Sequence, residues 1–122
     1  MSLDKPLVNG RLAAIMVRMK VIIDFCLVPV GIGTSVSREV AECQKIFEER
    51  GLSYQMHAYG TNVEGEWDAV FDAVKACHER VHELGTTRIS SSLKVGTRTD
   101  RDQTMADKIA SVEAKLSGDS ES

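Results

Sequence analysis

Residues 54–85, YQMHAYGTNVEGEWDAVFDAVKACHERVHELG, change periodicity partway along, and that change decides the fold. From Tyr54 to Tyr59 the chain alternates. Tyr54, Met56 and Ala58 fall on one side and Gln55, His57 and Tyr59 on the other, which is the pattern of a half-buried strand. Gly60 lets the chain turn, and Thr61-Asn62-Val63-Glu64 reads as a short return strand ending at Gly65. From Glu66 onward Trp67, Val70, Val74, Cys77, Val81 and Leu84 step by three and four along one helical face. Glu66 and Asp68 place negative charge in the first turn, where the helix dipole favours it, and Gly85 ends the helix.

Upstream, Val21 to Val30 is nearly continuously apolar and rich in β-branched residues, so it reads as an interior strand. Pro29 stands near its end, where a lost donor matters least, and Gly31 and Gly33 bound it. Thr34-Ser35-Val36-Ser37 offers capping hydroxyls to a helix whose buried face is Val36, Val40, Cys43 and Phe47, with Gly51 at its C-terminal end. Downstream, Arg88 to Val95 is a fourth strand, with Ile89, Leu93 and Val95 on one side and Ser90, Ser92 and Lys94 on the other. Asp100-Arg101-Asp102-Gln103 has the spacing of a capping box and opens a last helix carried by Met105, Ile109, Val112 and Leu116. The order is that of an α+β, ferredoxin-like βαββαβ sandwich with an extra C-terminal helix. The domain is expected over residues 21–116, preceded by a disordered or leader extension (1–20) and followed by a disordered tail (117–122).

The 122 residues include 15 Lys+Arg and 18 Asp+Glu, a net charge of −3, which supplies no basic field for nucleic acid. An RNA-recognition module of the same strand order would show aromatics on its open sheet face, where this chain offers Tyr59 alone. No apolar run reaches the ~18–20 residues of a membrane-spanning helix. Three widely spaced cysteines without a CxxC fit a reducing, cytoplasmic setting rather than a disulfide or zinc scaffold.

With both helices on one face of the sheet, Asp24, Cys26, Val28, Gln55, His57, Tyr59, Ser90, Ser92 and Lys94 are expected on the other. Small hydroxyls and isolated charges among apolar groups suit a surface covered by another subunit or holding a small ligand. His78-Glu79-Arg80-Val81-His82 matches HExxH literally. Acidic candidates for a third ligand exist, but none stands in a recognisable downstream motif, and Val81 belongs to the buried stripe, so two partly exposed histidines are the expectation and no metal site. Gly31-Ile32-Gly33 lacks the third glycine and acidic strand end of a dinucleotide fingerprint. Lys94-Val95-Gly96-Thr97-Arg98-Thr99-Asp100 reads either as an anion-binding corner or as a capping turn with Arg98 in a surface ion pair. In Gly60-Thr61-Asn62-Val63-Glu64-Gly65-Glu66-Trp67, acids stand beside an indole, the setting for an organic cation; equally, Trp67 opens the buried stripe.

Together, the strand Ile22 to Pro29, the Gly60–Gly65 run with Trp67, Cys77-His78-Glu79 and the Lys94–Asp100 turn resemble the thiamine-binding protein family, specifically its small single-domain branch, long an uncharacterised protein family. The resemblance spans about Val21 to Leu116. It implies a ferredoxin-like subunit, a homotetramer built as a dimer of dimers, no catalysis and no cofactor, with thiamine, its pyrimidine part or an anion such as sulfate or phosphate as ligand. On it, ligand contacts are expected at Asp24, His57, Gly60, Thr61, Glu64, Trp67, Lys94, Thr97 and Arg98. The competing readings are an acid–base or metal-dependent enzyme using His78, His82 or His57, and a purely structural oligomer.

Overall fold

The computed structural model of the chain describes residues 19–100 and 104–118. The expected leader therefore lies outside the described residues up to residue 18, as do residues 119–122 of the tail. Strand β1 (Lys20–Val30) alternates cleanly. Val21, Ile23, Phe25 and Leu27 are buried, whereas Ile22, Asp24 and Cys26 are half-buried and Val28 and Val30 exposed. It leads into α1 (Ser37–Glu49), then β2 (Ser53–His57), β3 (Gly60–Glu66), α2 (Trp67–Glu83), β4 (Arg88–Thr97) and α3 (Met105–Leu116). The sheet order is β2-β3-β1-β4, antiparallel at every pairing. Since β3 separates β1 from β2, and β1 separates β3 from β4, each helix crosses over a strand, as the βαββαβ reading requires.

The core is a single layer between the sheet and α1 with α2. Phe47, Ile23, Val21, Val63, Val70, Val81 and Cys77 are fully buried. Each large apolar side chain so placed contributes about 1.5–3 kcal/mol. Phe25 and Phe47 meet edge to face at 6.1 Å, which locks β1 to α1. Cys43 and Cys77 bring the two helices together, and the hydrogen bond between them, with burial, pushes the Cys77 thiol up. On the surface Arg80 Nε donates to Glu42 Oε1 at 2.9 Å and ties α2 to α1 again.

Four local expectations are revised. The hairpin turn falls on Ala58-Tyr59, and Gly60 already belongs to β3. A Cβ at Gly60 would stand 2.6 Å from the Phe25 carbonyl oxygen, so this glycine serves close strand approach. Helix α1 takes Val36 as its N-cap and has no side-chain cap, leaving the hydroxyls of Thr34, Ser35 and Ser37 out of that role. Helix α3 opens at Thr104 rather than at Asp100: Thr104 Oγ1 accepts from Asp107 N–H and Asp107 Oδ2 accepts from Thr104 N–H, both at 3.0 Å. Finally, α3 buries none of its residues, and Ile109, Val112 and Leu116 are exposed. Among the described residues no helix is long and apolar enough to cross a membrane.

Candidate functional site

Strand register decides which side chains meet on the sheet face turned away from α1 and α2. Asp24 lies opposite Asn62 on β3 and Lys94 on β4, and Cys26 lies opposite Ser92. His57, at the end of β2, reaches across β3 to Asp24: Nε2 and Oδ1 are 2.7 Å apart. The backbone N–H of Tyr59 donates to His57 Nδ1 at 3.2 Å, which leaves the proton on Nε2 to be donated to the carboxylate. Both ring nitrogens are thus engaged, and the imidazole serves to orient Asp24. The pair is substantially exposed, so it adds only about 0–1 kcal/mol to stability.

At the other end of the same face, where β1 begins and β3 and β4 end, a cavity of about 660 Å³ opens beside α3. Lys20, Ile22, Glu64, Gly96, Thr97, Arg98 and Lys108 are among its walls, and Glu64 is the acid among its lining residues. Glu64 Oε2 accepts the Met105 N–H at 3.0 Å and so fixes the start of α3 over the cavity. Together with Thr104 and Asp107, this carboxylate fills the N–H groups at the helix start, and none of those three is left for an external anion. Arg98 makes a two-pronged pair with Asp100, Nε to Oδ1 at 2.6 Å and a terminal nitrogen to Oδ2 at 3.1 Å, which raises its pKa further above the usual arginine value. Arg98 in this turn is therefore ion-paired with Asp100, while the helix cap lies farther on, at Thr104. Positive charge on the cavity wall comes from Lys20, Lys108 and Arg98.

The structure thus brings Glu64, Thr97 and Arg98 to one cavity and places Asp24, His57 and Lys94 farther along the same face; Gly60 adjoins Asp24, whose Oδ1 would lie 3.3 Å from an added Cβ. Thr61 and Trp67 stand elsewhere. Thr61 is buried beneath α1, where its hydroxyl accepts from Gln44 Nε2 at 2.8 Å. The Trp67 ring lies 4.6 Å from that of Phe71, in the helix layer. The HExxH histidines are tied to separate partners: His78 Nε2 lies 2.8 Å from Ser91 Oγ, and His82 Nδ1–H donates to the Thr86 carbonyl at 2.8 Å. Burial first, then the His82 charge, holds His78 below the usual histidine pKa. Among the described residues no group of three or more metal-ligating side chains forms. Lys20, Ile22 and Lys108 are cavity residues that sequence reasoning missed. Lys20 and Ile22 continue the outward alternation of Asp24 and were legible in principle, whereas Lys108 enters only through the seating of α3.

Fold and cavity together define a ferredoxin-like subunit with a ligand-sized hollow at one end of its open sheet face. Residues 23–113 match the family described as thiamine-binding protein, and the chain belongs to that family, which assigns it a small-ligand-binding role. It is 62% identical over 98 residues to the UPF0045 protein sll0230 of Synechocystis, covering 80% of this chain and 81% of that one. It is 43% identical to the UPF0045 protein ECM15 of Eremothecium gossypii, covering 84% and 98%. Among solved structures, the hypothetical protein MJ1052 of Methanocaldococcus jannaschii superposes with a TM-score of 0.68 at 31% identity, over 83% of this chain and 98% of that one. None of these names states a catalytic activity.

Proposed function

We propose that this chain is a non-catalytic cytoplasmic protein that assembles as a homotetramer, a dimer of dimers. In this reading it holds thiamine or a related pyrimidine, in an anionic form, in the cavity where β1 begins. The observation that carries the reading is the cavity itself. At about 660 Å³ it falls within the ~300–1,000 Å³ range of small-molecule sites. Lys20, Lys108 and Arg98 on its wall favour a ligand bearing a phosphate, and Glu64 is the group that would face the ligand's cationic or amino-bearing ring. Asp24, oriented by His57, and Lys94 extend the polar strip along which a larger ligand would lie. The homotetramer is supported by apolar surface left open in the single chain: Val28 and Val30 on the open sheet face, and Ile109, Val112 and Leu116 along α3.

Calorimetric titration with thiamine, thiamine phosphate and the isolated pyrimidine tests the ligand, and light scattering tests the assembly. Saturable heat with thiamine phosphate, weakened at least ~10-fold by Lys108→Ala, is the expected result, since a lost charge-assisted contact is worth about 1.5–3 kcal/mol. No heat with any of the three, or a monomer at micromolar concentration, would overturn the reading.

A further inference from the structure

Helix α3 joins the rest of the chain at one end. Met105 is half-buried, and every residue of the helix after it, from Ala106 to Leu116, is exposed. The Met105 N–H donates to Glu64 Oε2 at 3.0 Å, and the capping box of Thr104 with Asp107 closes the same turn. From Lys108 to Leu116 no side chain makes a hydrogen bond or ion pair to another element among the described residues. A helix of 12 residues is marginal in water by itself, and most protein helices are held by burying one face against the body. Helix α3 buries none of its residues, so its order depends on what holds its first turn.

That turn forms one wall of the cavity of about 660 Å³. Thr104 and Lys108 line it from α3, whereas Lys20, Glu64, Thr97 and Arg98 line it from the sheet and the turn that follows β4. The cavity therefore has walls on two bodies, one of them attached only through its first turn. Lys20 and Lys108, one from each side, form no ion pair among the described residues. Two ammonium groups lining one hollow repel each other, and an anion between them replaces that repulsion with charge-assisted hydrogen bonds to both. Glu64 does not stand in the way of such a bridge. Its carboxylate has two oxygens, so one can keep the Met105 N–H while the other receives an amino group of the ligand.

We propose that α3 is a ligand-controlled arm: a phosphate group held between Lys108 on α3 and Lys20 with Arg98 on the other wall ties the helix to the sheet, so that occupancy of the cavity orders α3 and the stripe of Ile109, Val112 and Leu116 that it carries. This rests on the reading above, that the cavity takes a phosphate-bearing ligand, and adds regulation to it. The coupling runs both ways. Whatever order the ligand gives α3, an already ordered α3 returns as affinity for the ligand.

The test is hydrogen exchange of the full chain, with and without thiamine phosphate or inorganic phosphate, beside calorimetric titration of the same samples. With ligand at 100 times its Kd, the amides from Ile109 to Leu116 should exchange at least ~10-fold more slowly, within the ~100-fold ceiling that this occupancy sets. Heat of binding with unchanged exchange along α3 overturns the proposal and leaves the thiamine reading standing. Equal affinity and equal slowing with the two ligands upholds the arm and removes the thiamine ring from that reading. No heat and no slowing with either overturns both. Lys108→Ala, with ligand raised to match the wild-type occupancy, should lose most of the slowing, and undiminished slowing would refute the bridge. The double variant Ala110→Gly/Ala114→Gly weakens the helix at two exposed positions that do not line the cavity. By reciprocity it should bind thiamine phosphate at least ~3-fold more weakly, and unchanged affinity in that variant would overturn the proposal.

Discussion

Gly60 offers the sharpest test of how the sheet is built. A Cβ there would sit 2.6 Å from the Phe25 carbonyl oxygen, and a third atom, the Phe25 carbonyl carbon, would be 3.3 Å away. Close carbon–oxygen contacts between strands bottom out at ~3.3 Å, so Gly60→Ala must part β3 from β1 by about 0.7 Å. Asp24 Oδ1, 3.3 Å from the same point, can swing aside, but the carbonyl belongs to the backbone of a central strand and cannot. Overpacking of this kind costs about 1–3 kcal/mol, which lowers the melting temperature by roughly 5–15 °C in a domain near 100 residues. Gly96→Ala is the matched control. Gly96 also lies in a strand without positive φ, and its nearest neighbour, the Ile22 carbonyl oxygen, is 3.9 Å from the built Cβ. Replacing a strand glycine with alanine where there is room should stabilise by up to ~0.5–1 kcal/mol. Urea unfolding of both variants at one protein concentration reads the difference, with concentration held fixed because assembly shifts apparent stability. If Gly60→Ala unfolds within about 0.5 kcal/mol of the parent, the strand-approach account is refuted.

Other consequences can be checked beside it. Phe47→Ala removes a fully buried ring in edge contact with Phe25 and should cost about 3–5 kcal/mol by chemical denaturation; a loss under about 1 kcal/mol would contradict the core assignment. Glu64→Gln weakens the charge-assisted acceptor on the Met105 N–H, so hydrogen exchange should quicken along α3 while the amides of β1 keep their protection. His78 is held below its unfolded pKa of about 6.5, so the unfolded chain binds the extra proton first, and stability present above that pH should fall as pH drops below it. His78→Asn should flatten that part of the stability–pH curve, and an unchanged curve would remove His78 as its source.

Much of the sheet was legible because burial imposes a strict period of two. Val21, Ile23, Phe25 and Leu27 sort to one face of β1, and that parity places Asp24, His57 and Lys94 on the other. Helix α2 was equally plain, since Val70, Val74, Cys77 and Val81 all face the core. Helix starts were less legible. Asp100 has the capping-box spacing locally, but the box that forms is Thr104 with Asp107, and Met105 is seated on Glu64. The α1 hydroxyls look like caps in sequence, but Val36 occupies the cap position and no side chain caps the helix. The stripe of α3 is visible in the sequence, yet periodicity reveals an apolar face without revealing what covers it, and among the described residues Ile109, Val112 and Leu116 stay exposed. Thr61 and Trp67 illustrate the opposite limit. A short motif dense in polar residues spans both sides of a strand and the start of a helix, so its members separate when the backbone pleats.

Cys43 and Cys77 are sealed between helices, while Cys26 lies half-buried on the open sheet face. The native molecule therefore carries its own chemical gauge. An alkylating reagent should consume a single sulfhydryl while that face is bare and spare it if, as proposed, a sister subunit settles there, so the pace of modification at Cys26 reports occupancy of the surface without any added label.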